Sequence, residues 1–129
     1  MNNKQKLFDL AYQAAQNSYS PYSNFAVGAA ILANDNNFYF GCNVENISYP
    51  VGTCAESGAI ASMVANGSKE IKEILIYADS KTLIVPCGAC RQRIAEFSNP
   101  QTLIHLANTE GVQKTYTIDE LLPLSFSEF

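Results

Sequence analysis

Three cysteines and one glutamate in this chain are spaced to hold a metal and move a proton. Cys54-Ala-Glu56 and Pro86-Cys87-Gly-Ala-Cys90 together offer three thiols for one ion and a carboxylate beside them. Zinc bound by three protein ligands keeps a fourth position for water or substrate, whereas a structural site is usually closed by four. Cys87 and Cys90 lie about one helical turn apart, so both sulfurs can face one ion. Cys54 belongs to a separate segment and closes the set from across the site. Both motifs are expected to begin helices, where free N–H groups and the helix dipole favour anions and lower a thiol pKa. Glu56 follows Cys54 in the same first turn, so its carboxylate faces a water whose pKa the metal lowers to roughly 7. The chemistry expected of such a set is metal-assisted hydrolysis.

Plainer roles compete for each residue. Thr53-Cys-Ala-Glu56 matches the Ser/Thr-x-x-Glu capping box, in which Glu56 only satisfies the helix start. Cys42 in the second strand could complete a closed site of four thiolates, or be a small core residue. His105, within Leu103-Ile-His-Leu106, fits a packed strand histidine better than a ligand. Four cysteines could also form two disulfides, but nothing marks secretion, and Cys-x-x-Cys in a cytosolic chain points to metal or redox chemistry.

The elements that must position these residues follow from periodicity. Residues 4–16 carry apolar groups at helical spacing, and a polar, Pro-containing turn spans 17–24. Residues 25–33 read as a buried strand, 34–37 as a turn, and 38–44 as a second strand, forming a hairpin. Thr53 is the expected N-cap of a helix over 54–65, ended by Asn66-Gly67. Residues 71–78 and 102–107 are strands, 82–85 a short strand, and Pro86 opens a helix reaching Phe97. Tyr116 falls in a fifth or peripheral extended segment, before a short helix over 117–122. Strands alternating with helices predict an α/β domain over residues 1–129, its sheet covered on both faces.

Bulk properties narrow the partner. The 129 residues carry eight Lys and Arg against twelve Asp and Glu, a net charge of −4. A protein gripping duplex nucleic acid neutralises roughly 6–10 phosphates, and the few, scattered basic residues here do not make such a groove. A free nucleoside fits better than a nucleic-acid polymer. The longest apolar run, residues 25–33, is too short for a bilayer span of roughly 20 residues. The expectation is a soluble, cytoplasmic chain with no membrane partner.

Several blocks now stand together in order: Pro21-Tyr-Ser-Asn-Phe-Ala-Val-Gly-Ala29, Asn43-Val-Glu-Asn-Ile-Ser-Tyr49, Thr53-Cys-Ala-Glu56, Pro86-Cys-Gly-Ala-Cys-Arg-Gln92 and Leu121-Leu-Pro-Leu-Ser-Phe126. With them the chain resembles the small, homotetrameric cytidine deaminases, the three-cysteine form of the zinc deaminase signature. The resemblance implies a three-layer α/β/α sandwich around a mixed five-stranded sheet. It implies one zinc ion per subunit on Cys54, Cys87 and Cys90, with Glu56 as acid and base. It further implies Asn43 and Glu45 on the ribose hydroxyls, Phe25 on the pyrimidine face, and Ala55 as a further substrate contact. In the family's homotetramers the positions of Tyr49 and Phe126 complete neighbouring pockets. The implied reaction is hydrolysis of cytidine and 2′-deoxycytidine to uridine and 2′-deoxyuridine in pyrimidine salvage. A blasticidin S-type antibiotic deaminase and a non-catalytic zinc-stabilised binding protein are the alternatives.

One position departs from the pattern. The family commonly has Arg directly after the catalytic Glu, bonded to the cysteine sulfurs; this chain has Ser57. Three thiolates on Zn²⁺ leave a net −1, which opposes acidification of a bound water. Arg93 or Arg91, early in the helix after Cys87, is the expected source of the missing positive charge, with Arg93 favoured at about one turn from Cys90.

Overall fold

The computed structural model describes residues 2–129. Helix α1 (Asn3–Gln16) leads into strands β1 (Val27–Ala33) and β2 (Phe38–Cys42). Helix α2 (Ala55–Ala65), β3 (Ile71–Ala78) and α3 (Gly88–Glu96) follow, then β4 (Leu103–Asn108), β5 (Gly111–Tyr116) and the short α4 (Ile118–Leu121). The sheet order is β2-β1-β3-β4-β5, with β3–β4 the parallel pair and the other pairs antiparallel. The mixed five-stranded sheet is the one expected.

Alternation along the central strands builds two cores. Ala29, Ile31 and Ala33 of β1, with Ile74 and Ile76 of β3, face a cluster that includes Ala59 and Met63 of α2, Ile94 of α3 and Leu121 of α4. Ala30, Leu32, Leu75 and Tyr77 point the other way, against Leu7, Ala11 and Ala15 of α1. A strand's side-chain period of two thus covers the sheet on both faces. Glycine brings the helices close. A Cβ on Gly28 would lie 1.9 Å from the Ala11 carbonyl oxygen, and one on Gly41 would lie 2.6 Å from the Ala59 nitrogen.

Several boundaries differ from the sequence expectation. Strand β1 begins at Val27 because the chain first completes a turn, with Asn24 N–H on the Ser20 carbonyl at 3.0 Å and Asn24 at φ 56°. Val44 leaves β2 to bridge Tyr19 and Thr53, so the second strand ends at Cys42. Residues 82–85 form no strand; Ile84 and Val85 are partly exposed beside the site. Pro86 precedes the third helix rather than opening it, because Cys87 is the N-cap and Gly88 the first helical residue. Tyr116 does end a fifth strand, whose Gln113, Lys114 and Thr115 are exposed, as suits a sheet edge. His105 is packed as anticipated, with Nδ1 at 2.8 Å from Thr115 Oγ1 and Nε2 at 2.8 Å from Glu73 Oε1.

Candidate active site

Helices α2 and α3 present their N-termini to one small cavity. Cys54, not Thr53, caps α2: its backbone is extended, and its sulfur accepts the Ser57 N–H at 3.4 Å. Thr53 N–H is instead taken by the Val44 carbonyl at 2.9 Å, in a β-bridge. Glu56 therefore does not serve the capping box that the sequence offered, and its carboxylate is left for the site. Cys42, partly exposed in β2, is not part of the cysteine cluster.

The ligand atoms of Cys54, Glu56 and Cys90 lie within 4.8 Å of one another. Cys90 is buried, Cys54 partly so, and Cys87 is exposed. Cys87 lies outside that tight group but lines the same cavity of about 200 Å³, with Val27, Asn43, Ala55, Glu56 and Pro86. Glu56 is 5% exposed. Burial raises its carboxyl pKa, and the nearby Cys54 sulfur adds to that. Such a group holds a proton more readily than a surface glutamate, as acid and base work requires.

Cys54 and Cys90 share a hydrogen bond with sulfurs 2.7 Å apart. That bond, the Ser57 N–H and the Arg93 charge lower the Cys54 pKa to about 6. The same bond and the same anion push the Cys90 thiol up, so the pair readily carries one negative charge and resists a second. Arg93 reaches both sulfurs, with Nη1 at 3.5 Å from Cys90 and 3.7 Å from Cys54. A guanidinium beside the two sulfurs favours the negative charge they share. Cysteine sulfurs at two helix starts, with a cation beside them, are a donor set suited to zinc.

Arg91 goes elsewhere. Its Nε donates to the Pro86 carbonyl at 2.9 Å and its Nη1 to the Leu121 carbonyl at 2.8 Å, joining the segment before α3 to the end of α4. The structure therefore brings Arg93, and not Arg91, to the cysteines.

A wider cavity of about 510 Å³ adjoins this one, sharing Asn43 and Cys54 and lined also by Tyr22, Ser23, Glu45 and Tyr49. Asn43 is fixed on three sides: its Oδ1 accepts from Val27 N–H at 3.0 Å and from the Ser18 hydroxyl, and its Nδ2 donates to the Phe25 carbonyl at 2.8 Å. Glu45 Oε1 accepts Tyr22 N–H at 3.0 Å and Ser23 N–H at 3.1 Å, while Oε2 accepts the Ser23 hydroxyl. These donors hold the Glu45 carboxyl below its ordinary pKa. Phe25 is partly buried at the end of the same turn.

Tyr49 is 75% exposed and meets Tyr22 edge-on at 6.1 Å. Phe126 is 68% exposed. Gln92 holds its backbone at 2.8 and 3.3 Å, and its ring packs on Phe129.

A family model for the cytidine and deoxycytidylate deaminase zinc-binding region matches residues 1–106. The chain belongs to this deaminase family. Cytidine deaminase of Sporosarcina psychrophila is 42% identical over 124 residues, covering 96% of this chain and 91% of that protein. Blasticidin-S deaminase of Bacillus cereus is 33% identical over 109 residues, covering 78% of this chain and 76% of that one. A crystal structure of cytidine deaminase from Burkholderia pseudomallei matches with a TM-score of 0.90 at 38% identity, covering 98% of this chain and all of the other.

Sequence reasoning about this deaminase chain missed Ser18 and Ser23, the hydroxyls that hold Asn43 and Glu45. Their signal was the serine-rich turn over residues 17–24. Its serines lie more than 20 positions from the residues they serve, and no local spacing connects the two.

Proposed function

We propose that the chain catalyses zinc-dependent hydrolytic deamination of cytidine and 2′-deoxycytidine to uridine and 2′-deoxyuridine, with release of ammonia. The observation that carries this reading is the buried Glu56 carboxylate beside the Cys54 and Cys90 sulfurs, in a cavity that opens past Asn43 toward Glu45. Cys54, Cys87 and Cys90 would hold one zinc ion per subunit. Zinc there would supply acidification of water near neutral pH.

The chain's own residues do the remainder. Glu56 takes a proton from the attacking water and gives it to ring N3 as oxygen bonds to C4. It then carries the hydroxyl proton to the exocyclic nitrogen; the C4–N bond breaks, and ammonia and the uracil ring remain. Its raised pKa suits this shuttling in both directions. Asn43 and Glu45 bind the sugar hydroxyls, an amide and a carboxylate being suited to a diol. Ala55, buried at the cavity wall, confines the flat base, and Phe25, at the end of the adjoining turn, would pack on its face.

Arg93 offsets the thiolate charge that an arginine at position 57 would otherwise offset; its two sulfur contacts support that role. The reading extends to a cytoplasmic homotetramer in pyrimidine salvage. Exposed Tyr49 and Phe126 suit contacts between subunits. Among the described residues no helix is long and apolar enough to cross a membrane.

Purified protein is incubated with cytidine, 2′-deoxycytidine, CMP and blasticidin S while the ultraviolet change of deamination is followed. Turnover of the two nucleosides, lost on chelation and restored by zinc, is expected. Turnover of blasticidin S alone would make it an antibiotic deaminase. No turnover by zinc-loaded protein would leave only the binding module.

A further inference from the structure

Glu45 is partly exposed on the wall of the wider cavity, where a carboxylate on a flexible stem ordinarily samples several rotamers. Here three donors converge on it from the Tyr22-Ser23 backbone and the Ser23 hydroxyl. Ser23 has one hydroxyl proton. Its oxygen already accepts the Phe25 N–H at 3.0 Å, and the proton goes to Glu45 Oε2. The hydroxyl therefore ties the strand end that carries Phe25 to the carboxylate. A carboxylate oxygen accepts about two hydrogen bonds, so Oε2 keeps capacity for a ligand hydroxyl after Ser23 has bonded to it. Asn24, at φ 56°, closes the turn that aims both serine groups.

We propose that Ser23 is a positioning residue for the sugar end of the pocket, holding Glu45 in the rotamer that receives a nucleoside hydroxyl and locking that rotamer to the Phe25 backbone. This inference rests on the reading of Glu45 as a sugar ligand. The lowered Glu45 pKa agrees with it, since the same three donors keep the group ionised and able only to accept. The clamp fixes the acceptor before substrate arrives, so binding does not have to order a free side chain.

The test compares kcat and KM for cytidine and 2′,3′-dideoxycytidine, which lacks the 2′ and 3′ hydroxyls and keeps the 5′ one, in wild type, Ser23→Ala, Ser23→Thr, Glu45→Gln and the Ser23→Ala/Glu45→Gln double variant. Zinc content and Tm are measured for each. Ser23→Ala is expected to lower the ratio of kcat/KM for cytidine over dideoxycytidine about tenfold, mostly through KM. Ser23→Thr, which keeps the hydroxyl, is expected to restore it, and Ser23→Ala is expected to change that ratio little once Glu45 is already Gln. Equal losses on both nucleosides, or additive losses in the double variant, would make Ser23 a fold residue and overturn the proposal. Should Glu45→Gln leave the sugar ratio unchanged, the reading of Glu45 itself fails, and the proposal with it. A ratio that falls in Glu45→Gln but not in Ser23→Ala would sink the proposal while sparing Glu45.

Discussion

Replacing Arg93 by Gln tests whether the thiolate cluster needs its cation. The guanidinium lies 3.5 and 3.7 Å from two sulfurs, so the change removes one positive charge next to at least one negative one. A charge pair ~4 Å apart is worth about 4 kcal/mol at an effective dielectric of 20 and about 1 kcal/mol in water. Arg93 is exposed, so solvent screening draws the value toward the lower limit. About 1.5 kcal/mol, roughly tenfold in kcat/KM, is the expected loss.

Arg91→Gln is the matched control. Arg91 bonds the Pro86 and Leu121 carbonyls, so its loss should lower Tm and leave the folded enzyme's turnover closer to wild type. Steady-state kinetics on cytidine, metal analysis and the sulfur-to-metal absorption band of cobalt-substituted protein separate the two effects. Arg93→Gln should keep its metal, shift that band to lower energy and turn over more slowly. A metal-loaded Arg93→Gln within twofold of wild type, with an unmoved band, would refute charge compensation by this residue.

Glu56→Gln should keep zinc and fold while losing roughly 10²–10⁴ in kcat, the range general acid–base catalysis supplies; because burial already disfavours the Glu56 carboxylate, its Tm should not fall. Gly28→Ala places a methyl 1.9 Å from a backbone oxygen of α1, so that helix must shift. The overpacking cost is about 1–3 kcal/mol, read from the urea midpoint at constant m-value. The Tyr39 hydroxyl donates to Asp35 at 2.6 Å, and this bond depresses the Asp35 pKa below its ordinary 3.8. A depressed carboxyl contributes stability that is complete above pH 3.8 and is lost as pH falls through the lower folded value. The Tm deficit of Tyr39→Phe should therefore be largest near neutrality and shrink in acid below that value. A deficit that stays constant or grows in acid would contradict the assignment.

Much of the fold was legible because both faces of the central strands are buried in alternation. Ile31, Ile74 and Ile76 point to one core while Leu32, Leu75 and Tyr77 point to the other, so β1 and β3 read as near-continuous apolar runs. Segment 82–85 misled because Leu83, Ile84 and Val85 have strand composition, yet Ile84 and Val85 face the site cavity and not a ladder. The caps were displaced by one residue for a chemical reason. Thr53 is the better capping side chain by type, but its backbone is taken by Val44, and the sulfur of Cys54 does the capping. No propensity scale ranks a thiolate at that position.

The site shows the same limit more sharply. Spacing within a helix exposed the Cys87–Cys90 pair and placed Arg93 one turn beyond, because three-residue offsets share a face. Arg91 is the nearer in sequence, but its position on α3 turns it toward the end of α4, whereas the one-turn offset that favoured Arg93 brings its guanidinium to the sulfurs. Charge balance at a thiolate site depends on where a cation ends up in space, not on which residue follows the glutamate. With Ser57 too short and neutral for that task, α3 carries both Cys90 and the guanidinium that answers its charge. The cation's position is then set by the helix that holds the sulfur, so a movement of α3 carries Cys90 and Arg93 together. An arginine on α2 would instead move with Cys54. Exchanging the two, with Ser57→Arg in an Arg93→Gln background, should recover turnover if net charge near the sulfurs is what matters. If it recovers nothing while zinc is retained, geometry on α3 rather than charge is the requirement.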